Sequence, residues 1–169
     1  MTRLLCLTNH RVDKRQLLSI HRIIQDSIRD YQDKYGDMSW LTCCLEAASA
    51  AIQTEFGTRE SRESFLLLLP HVTALEACAA QQVNEVDLLT KLSLIDHKTG
   101  YGLHNLGDYA RALEYYWRAL VIFMNVFGIE HPNAQTILFI MMSAYEKSEH
   151  TIPFDEWIKD HMKSYTATS

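Results

Sequence analysis

The stretch Gly107-Asp108-Tyr109-Ala110-Arg111-Ala112-Leu113-Glu114-Tyr115-Tyr116-Trp117-Arg118-Ala119-Leu120-Val121-Ile122-Phe123, closed by Phe127-Gly128-Ile129-Glu130-His131-Pro132, decides the fold. Its two glycines stand 21 residues apart with no glycine or proline between them. Asp108 is placed to cap a helix start, and Gly128 is suited to end one. Pro132 fits the first turn of the next helix, where its missing N–H costs nothing. The stretch therefore predicts a helix over 109–127 and a second helix opening at 132.

Working outward, the other breaks have the same rhythm. Gly36 and Gly57 are again 21 residues apart, and polar Gln81 to Asn84 and Glu149 to Pro153 supply further breaks. Seven helical segments result: about Asp13–Tyr35, Met38–Phe56, Glu60–Gln81, Asn84–Asn105, Tyr109–Phe127, Pro132–Lys147 and Pro153–Ser164. The tail from Tyr165 is expected to fray. Leu17, Ile20, Ile24 and Ile28 form one apolar stripe on the first segment. Asp13 and Asp37 suit the N-caps of the first two, and Asn84 with Asp87 resembles a loose capping box. Ala47 to Ala51 permits close approach of a neighbour. Pro70 is expected to kink the third segment, with His71 a structural residue beside it. Short connections make successive helices antiparallel.

Composition agrees. The chain has 169 residues and only 6 Gly and 3 Pro, which argues against a many-turned β sandwich or barrel. Lys plus Arg number 16 against 21 Asp plus Glu, a net charge of −5. With no basic run, nucleic-acid wrapping is not expected. Leu66 to Leu69 is the strongest apolar run, far short of the ~20 residues of a membrane span, and Leu4 to Leu7 is too short for a signal-peptide core. Cys6, Cys43, Cys44 and Cys78 fit no zinc spacing and read as reduced packing thiols of a cytoplasmic protein.

Gly100, Leu103, Gly107, Tyr109, Ala112, Tyr116 and Ala119 have the spacing of the signature positions of a tetratricopeptide repeat. Small Gly100 and Ala112 would let two paired helices touch. Tyr109, Tyr116 and Ala119 would fill the space between one pair and the next. The stretch closely resembles the long repeat of kinesin light chains, with a period of about 42 residues, and Asn133 to Tyr145 looks like the next first helix. Leu103 plus 42 reaches Tyr145. Trp40 to Ala80 resembles the helical lead-in to such repeats in NB-ARC-type signalling ATPases. No G-x-x-x-x-G-K-[ST] loop occurs, so the ATPase domain is absent. The resemblance implies an all-α chain of about seven antiparallel helices in a short right-handed solenoid. Residues 1–169 are read as one helical domain: an N-terminal helix to 36, a diverged pair over 37–83, a repeat-like pair over 84–131, and a partial repeat with a capping helix over 132–164.

In such repeats the first helices of successive pairs line a concave groove. By resemblance, the groove positions are Leu94, His97, Lys98, Tyr101, His104 and Asn105, then Thr136, Phe139, Ile140, Ser143, Glu146 and Lys147. Lys98 or the histidines would pair an acidic group of an extended peptide, and Asn105 would hold its backbone. Lys98→Glu should then weaken partner binding without unfolding. His97 and His104 stand seven residues apart, about 10 Å at 1.5 Å per residue, too far for a shared metal. His131 belongs to the loop before Pro132. Tyr115, Tyr116 and Trp117 read as inter-helix packing, with an exposed Trp117 as the mark of a self-association surface.

No G-x-S-x-G or H-E-x-x-H pattern occurs, and no cofactor or metal is expected. The expected function is a non-enzymatic adaptor that binds a peptide or protein partner, with homodimerisation through an end helix adding stability. The alternative is a ligand-binding regulatory sensor or effector, or a diverged helical enzyme. A closed pocket with convergent ionisable groups would favour it.

Overall fold

The computed structural model describes residues 7–12, 15–20, 39–52, 56–79 and 85–168. The chain divides into two compact units, residues 1–40 and 41–169.

The first unit holds a β-hairpin. Strands β1 (Leu7–Val12) and β2 (Arg15–Ile20) pair antiparallel, with Leu7 opposite Ile20 and Val12 opposite Arg15. Only two residues join them, the commonest hairpin connection. This corrects the helix expected from Asp13: over 15–20 the backbone is extended. The stripe places only Leu17 and Ile20 in that span, too few positions to separate a helical period from a strand. Asp13, residues 21–35, Gly36 and Asp37 lie outside the described residues, as does Cys6.

From Ser39 onward every described element is an α-helix: α1 (Ser39–Ala51), α2 (Arg59–Ala79), α3 (Val86–Asn105), α4 (Tyr109–Phe127), α5 (Pro132–Glu146) and α6 (Phe154–Thr168). The best-marked boundaries are those of α4. Asp108 accepts a hydrogen bond from the Arg111 amide, and Gly128 follows the last turn at φ +87°. Pro132 opens α5, preceded by His131, whose Nδ1 accepts from the Asn133 amide at 3.2 Å. The His131 ring also stacks on Phe127 at 4.8 Å, so the residue is structural. Glu85 precedes α3 without a side-chain cap, and Asn84 lies outside the described residues. Helix α2 runs through Pro70 as one element, with His71 exposed. Helix α1 ends earlier than expected, and Phe56 enters the core from a loop, edge-on to Phe65 at 5.3 Å.

The core follows the helical period. Leu88, Leu92, Ile95 and Leu103 of α3 meet Ala112, Tyr116, Ala119 and Leu120 of α4, and Ile137, Met141 and Ala144 continue the core on α5. Two glycines permit the closest approaches. A Cβ on Gly100 would lie 2.8 Å from the Tyr116 ring and 3.2 Å from the Ala112 carbonyl oxygen. One on Gly102 would lie 2.4 Å from the Phe65 ring, so α2 and α3 meet there. Each glycine costs roughly 0.5–1 kcal/mol inside a helix, and close packing is what it permits in return. Tyr116 therefore fills space within the α3–α4 pair, where the resemblance had assigned it to the space between pairs.

Side-chain contacts also join alternate helices. Lys98 Nζ of α3 donates to the Ser49 carbonyl of α1 at 2.7 Å, and Lys91 Nζ lies 3.5 Å from Glu46. Lys147 Nζ, just beyond α5, lies 3.0 Å from His104 Nε2 of α3. In the other set, Arg118 of α4 reaches Glu76 of α2, and Asn125 of α4 donates to Tyr165 Oη of α6 at 2.5 Å.

The C-terminal end is aromatic. Tyr145 stacks on His150 at 3.9 Å and donates from its hydroxyl to the Ile152 carbonyl at 2.7 Å. Trp157 packs 5.2 Å from Tyr145 and 3.9 Å from His161. Helix α6 continues to Thr168, which corrects the expected fraying from Tyr165. No described helix is long and apolar enough to cross a membrane.

Candidate functional site

The α3 groove residues occupy one stretch of that helix but do different things. Leu94 and Tyr101, seven residues apart, are 41% and 38% exposed. Tyr101 stands edge-on to Phe56 at 6.3 Å, and Asn105 Nδ2 donates to the Tyr101 carbonyl at 2.7 Å, which satisfies an acceptor at the helix end. His97 is half-buried with its ring 6.1 Å from Tyr116, and its Nε2 makes no hydrogen bond. Burial, then the Lys98 charge, pushes its pKa down. Burial and the Lys147 charge do the same to His104. Both shifts favour the neutral imidazole, which leaves the positive charge beside them to Lys98 and Lys147.

On α5, Phe139 is 70% exposed, Glu146 is exposed and Ser143 is half-buried. Thr136 is exposed and returns its hydroxyl to the Pro132 carbonyl at 2.9 Å, and Ile140 is half-buried. The structure brings together His104, Lys147 and Tyr109. The His104 ring lies edge-on 5.2 Å from Tyr109, and the ammonium sits 5.5 Å from the same ring centroid.

Lys98 has a partner within the fold. Its ammonium is engaged at the C-terminal end of α1, where backbone carbonyls concentrate partial negative charge. Lys98→Glu is therefore expected to lower stability by about 1.5–3 kcal/mol, readable as a shifted urea midpoint. That corrects its use as a pure binding mutant.

A second group, on the side of α3 that meets α2 and α4, is a cluster of charged residues. Asp96 is 2% exposed. Its Oδ1 lies 3.5 Å from Arg118 Nη2 but makes no hydrogen bond. Arg118 forks Glu76 instead, with Nη1 3.1 Å from Oε2 and Nη2 donating to Oε1 at 3.2 Å. Its guanidinium also sits 4.1 Å from the Tyr115 ring centroid. Burial pushes the Asp96 carboxyl from the ordinary 3.8 up to about 8; Arg118 opposes this, and a hydrogen bond and like charge from Glu76 add to it. Charge reasoning along the sequence passes over this cluster because its members come from three helices. One signal was present: Asp96 falls within the buried face that carries Leu88, Leu92, Ile95, Thr99 and Leu103.

Trp117 is half-buried against Trp157 at 6.5 Å and His161 at 5.5 Å, as packing predicts. Cys43 and Cys44 are exposed free thiols and Cys78 is half-buried, so the first two do not pack as expected. Among the described residues no group of three or more His, Cys, Asp or Glu is placed to hold a metal. Comparison with protein-family models, curated proteins and solved structures finds no match.

Proposed function

We propose that this chain is a non-enzymatic helical-repeat adaptor that binds an extended peptide or protein segment along the face shared by α3 and α5. The observation that carries the proposal is that both helices carry large exposed apolar side chains: Phe139 at 70% on α5, Leu94 at 41% and Tyr101 at 38% on α3. Exposed apolar side chains grouped beside polar ones mark interaction surfaces more often than isolated ones do. The polar neighbours suit backbone and acidic contacts: Lys147 with His104, Asn105 and Glu146.

A tetratricopeptide-like solenoid is part of this reading. The contacts between alternate helices fall close to one repeat apart in sequence: Glu76 with Arg118 at 42 residues and His104 with Lys147 at 43. Such spacing is what stacked helix pairs produce.

Phe139→Glu is the test. The side chain packs little, so its effect on stability is expected to stay within about 0.5 kcal/mol. Loss of captured partner relative to wild type, at unchanged melting temperature, is the expected result. Equal capture by both proteins would remove α5 from the binding face.

A further inference from the structure

A cavity of about 290 Å³ opens between α2, α3, α4 and α6. Leu92, Val121, Ile122 and Trp117 form most of its wall, with Tyr165 at α6. Glu76, Asp96 and Arg118 supply its polar side. Arg118 is committed to Glu76 through two contacts, at 3.1 and 3.2 Å, which makes a neutral pair. Asp96, with its side chain 3% exposed, shares the guanidinium only at 3.5 Å, and its Oδ1 has no hydrogen-bond donor. A buried acceptor without a donor is costly.

We propose that this cavity binds a small organic monocation: an amine on an apolar body, whose ammonium donates to Asp96 Oδ1 and whose body lies against Trp117 and Val121. Each part of the site selects a part of that ligand. The donor-less Oδ1 calls for one N–H donor, and an ammonium brings it together with a charge that matches a carboxylate. The indole of Trp117 attracts a cation through its ring face. The apolar wall favours a hydrocarbon body. An anion has no lining cation available, because the guanidinium is already forked by Glu76. A cavity of ~150 Å³ holds benzene, so this one has room for a ring with a short aminoalkyl chain.

Binding exchanges one cation for another. The unliganded Asp96 carboxyl holds a proton at neutral pH; the ammonium takes over its charge compensation, and the proton leaves to solvent. Carboxylic acid plus ammonium become a carboxylate–ammonium pair plus one released proton.

The probe is phenethylamine, titrated calorimetrically into the full chain at pH 7 in phosphate and in Tris. The expected result is saturable binding, with a buffer-dependent heat that reports up to one proton released. Phenethyl alcohol and phenylacetate should bind at least tenfold more weakly. Asp96→Asn should weaken amine binding at least tenfold, and Val121→Trp, which fills the cavity, should abolish it. Circular dichroism checks that each variant folds; if Asp96→Asn does not, Val121→Trp and the two analogues decide. Absence of binding at millimolar amine overturns the proposal, as does equal binding of the alcohol or full binding by a folded Asp96→Asn. Phe139→Glu should leave amine binding unchanged, so this site and the peptide face fail or succeed separately.

Discussion

Tyr116→Ala is expected to lower the stability of the helical unit by about 3–5 kcal/mol. Tyr116 is fully buried on α4, and its ring occupies the space that Gly100 leaves open on α3. His97 and His104 also pack near it, at 6.1 and 6.5 Å. Truncation to alanine leaves a cavity between two helices that approach closely because both lack bulk there. The neighbouring backbone cannot collapse without shifting the entire pair, so little of the void refills. Tyr116→Phe should do the opposite. The hydroxyl is buried without a hydrogen-bond partner, and its removal should be neutral or stabilise by about 1 kcal/mol. Urea denaturation of the two variants side by side separates the ring's contribution from the hydroxyl's. Equal losses in both would mean that the hydroxyl has a structural donor or acceptor in solution.

The second large effect is a dependence on pH. Asp96 releases its proton near 3.8 when unfolded and near 8 when folded. Between these values the native state binds the more protons. Stability therefore falls as pH rises from about 4 to about 8, by up to about 1.4 kcal/mol per pH unit, and levels off above. His97 and His104 act oppositely below their ordinary pKa, since their folded values are depressed and acid must charge them. The difference between wild type and Asp96→Asn isolates the carboxyl. Asp96→Asn is expected to gain stability relative to wild type steadily from pH 5 to pH 8 in urea titrations. A flat difference would mean that the carboxyl stays ionised throughout, compensated by Arg118.

Much of the helical unit is legible in the sequence, because its boundaries rest on local chemistry. Asp108, Gly128 and Pro132 act on backbone groups within one turn, so their roles can be read without tertiary information. Gly100 is legible for a related reason: a glycine in a helical period with no turn to make is there for contact. The hairpin at 7–20 is less so, since its pairing register depends on which residues face each other and not on a local signal. The candidate sites divide in the same way. The exposures of Phe139 and Tyr101 follow from helical phase. The engagement of Lys98 by Ser49, 49 residues away, depends on how α1 docks on α3. The Asp96 cluster is the clearest case, because a carboxyl's partners on other helices determine whether it is an ion pair or an unsatisfied acid.

The alternation of contacts, α1 with α3 and α3 with Lys147 beyond α5, α2 with α4 and α4 with α6, has a mechanical consequence. In these side-chain contacts each helix is tied to helices near it in the sequence, and none of them joins α1 to α6. Tension along such an assembly meets no single girdle that must break. It peels from a terminus, and α6 is held by the aromatic grip of Tyr145 and Trp157 and by the Asn125–Tyr165 bond. The helical unit then resists pulling as a series of small clasps, each released before the next is loaded.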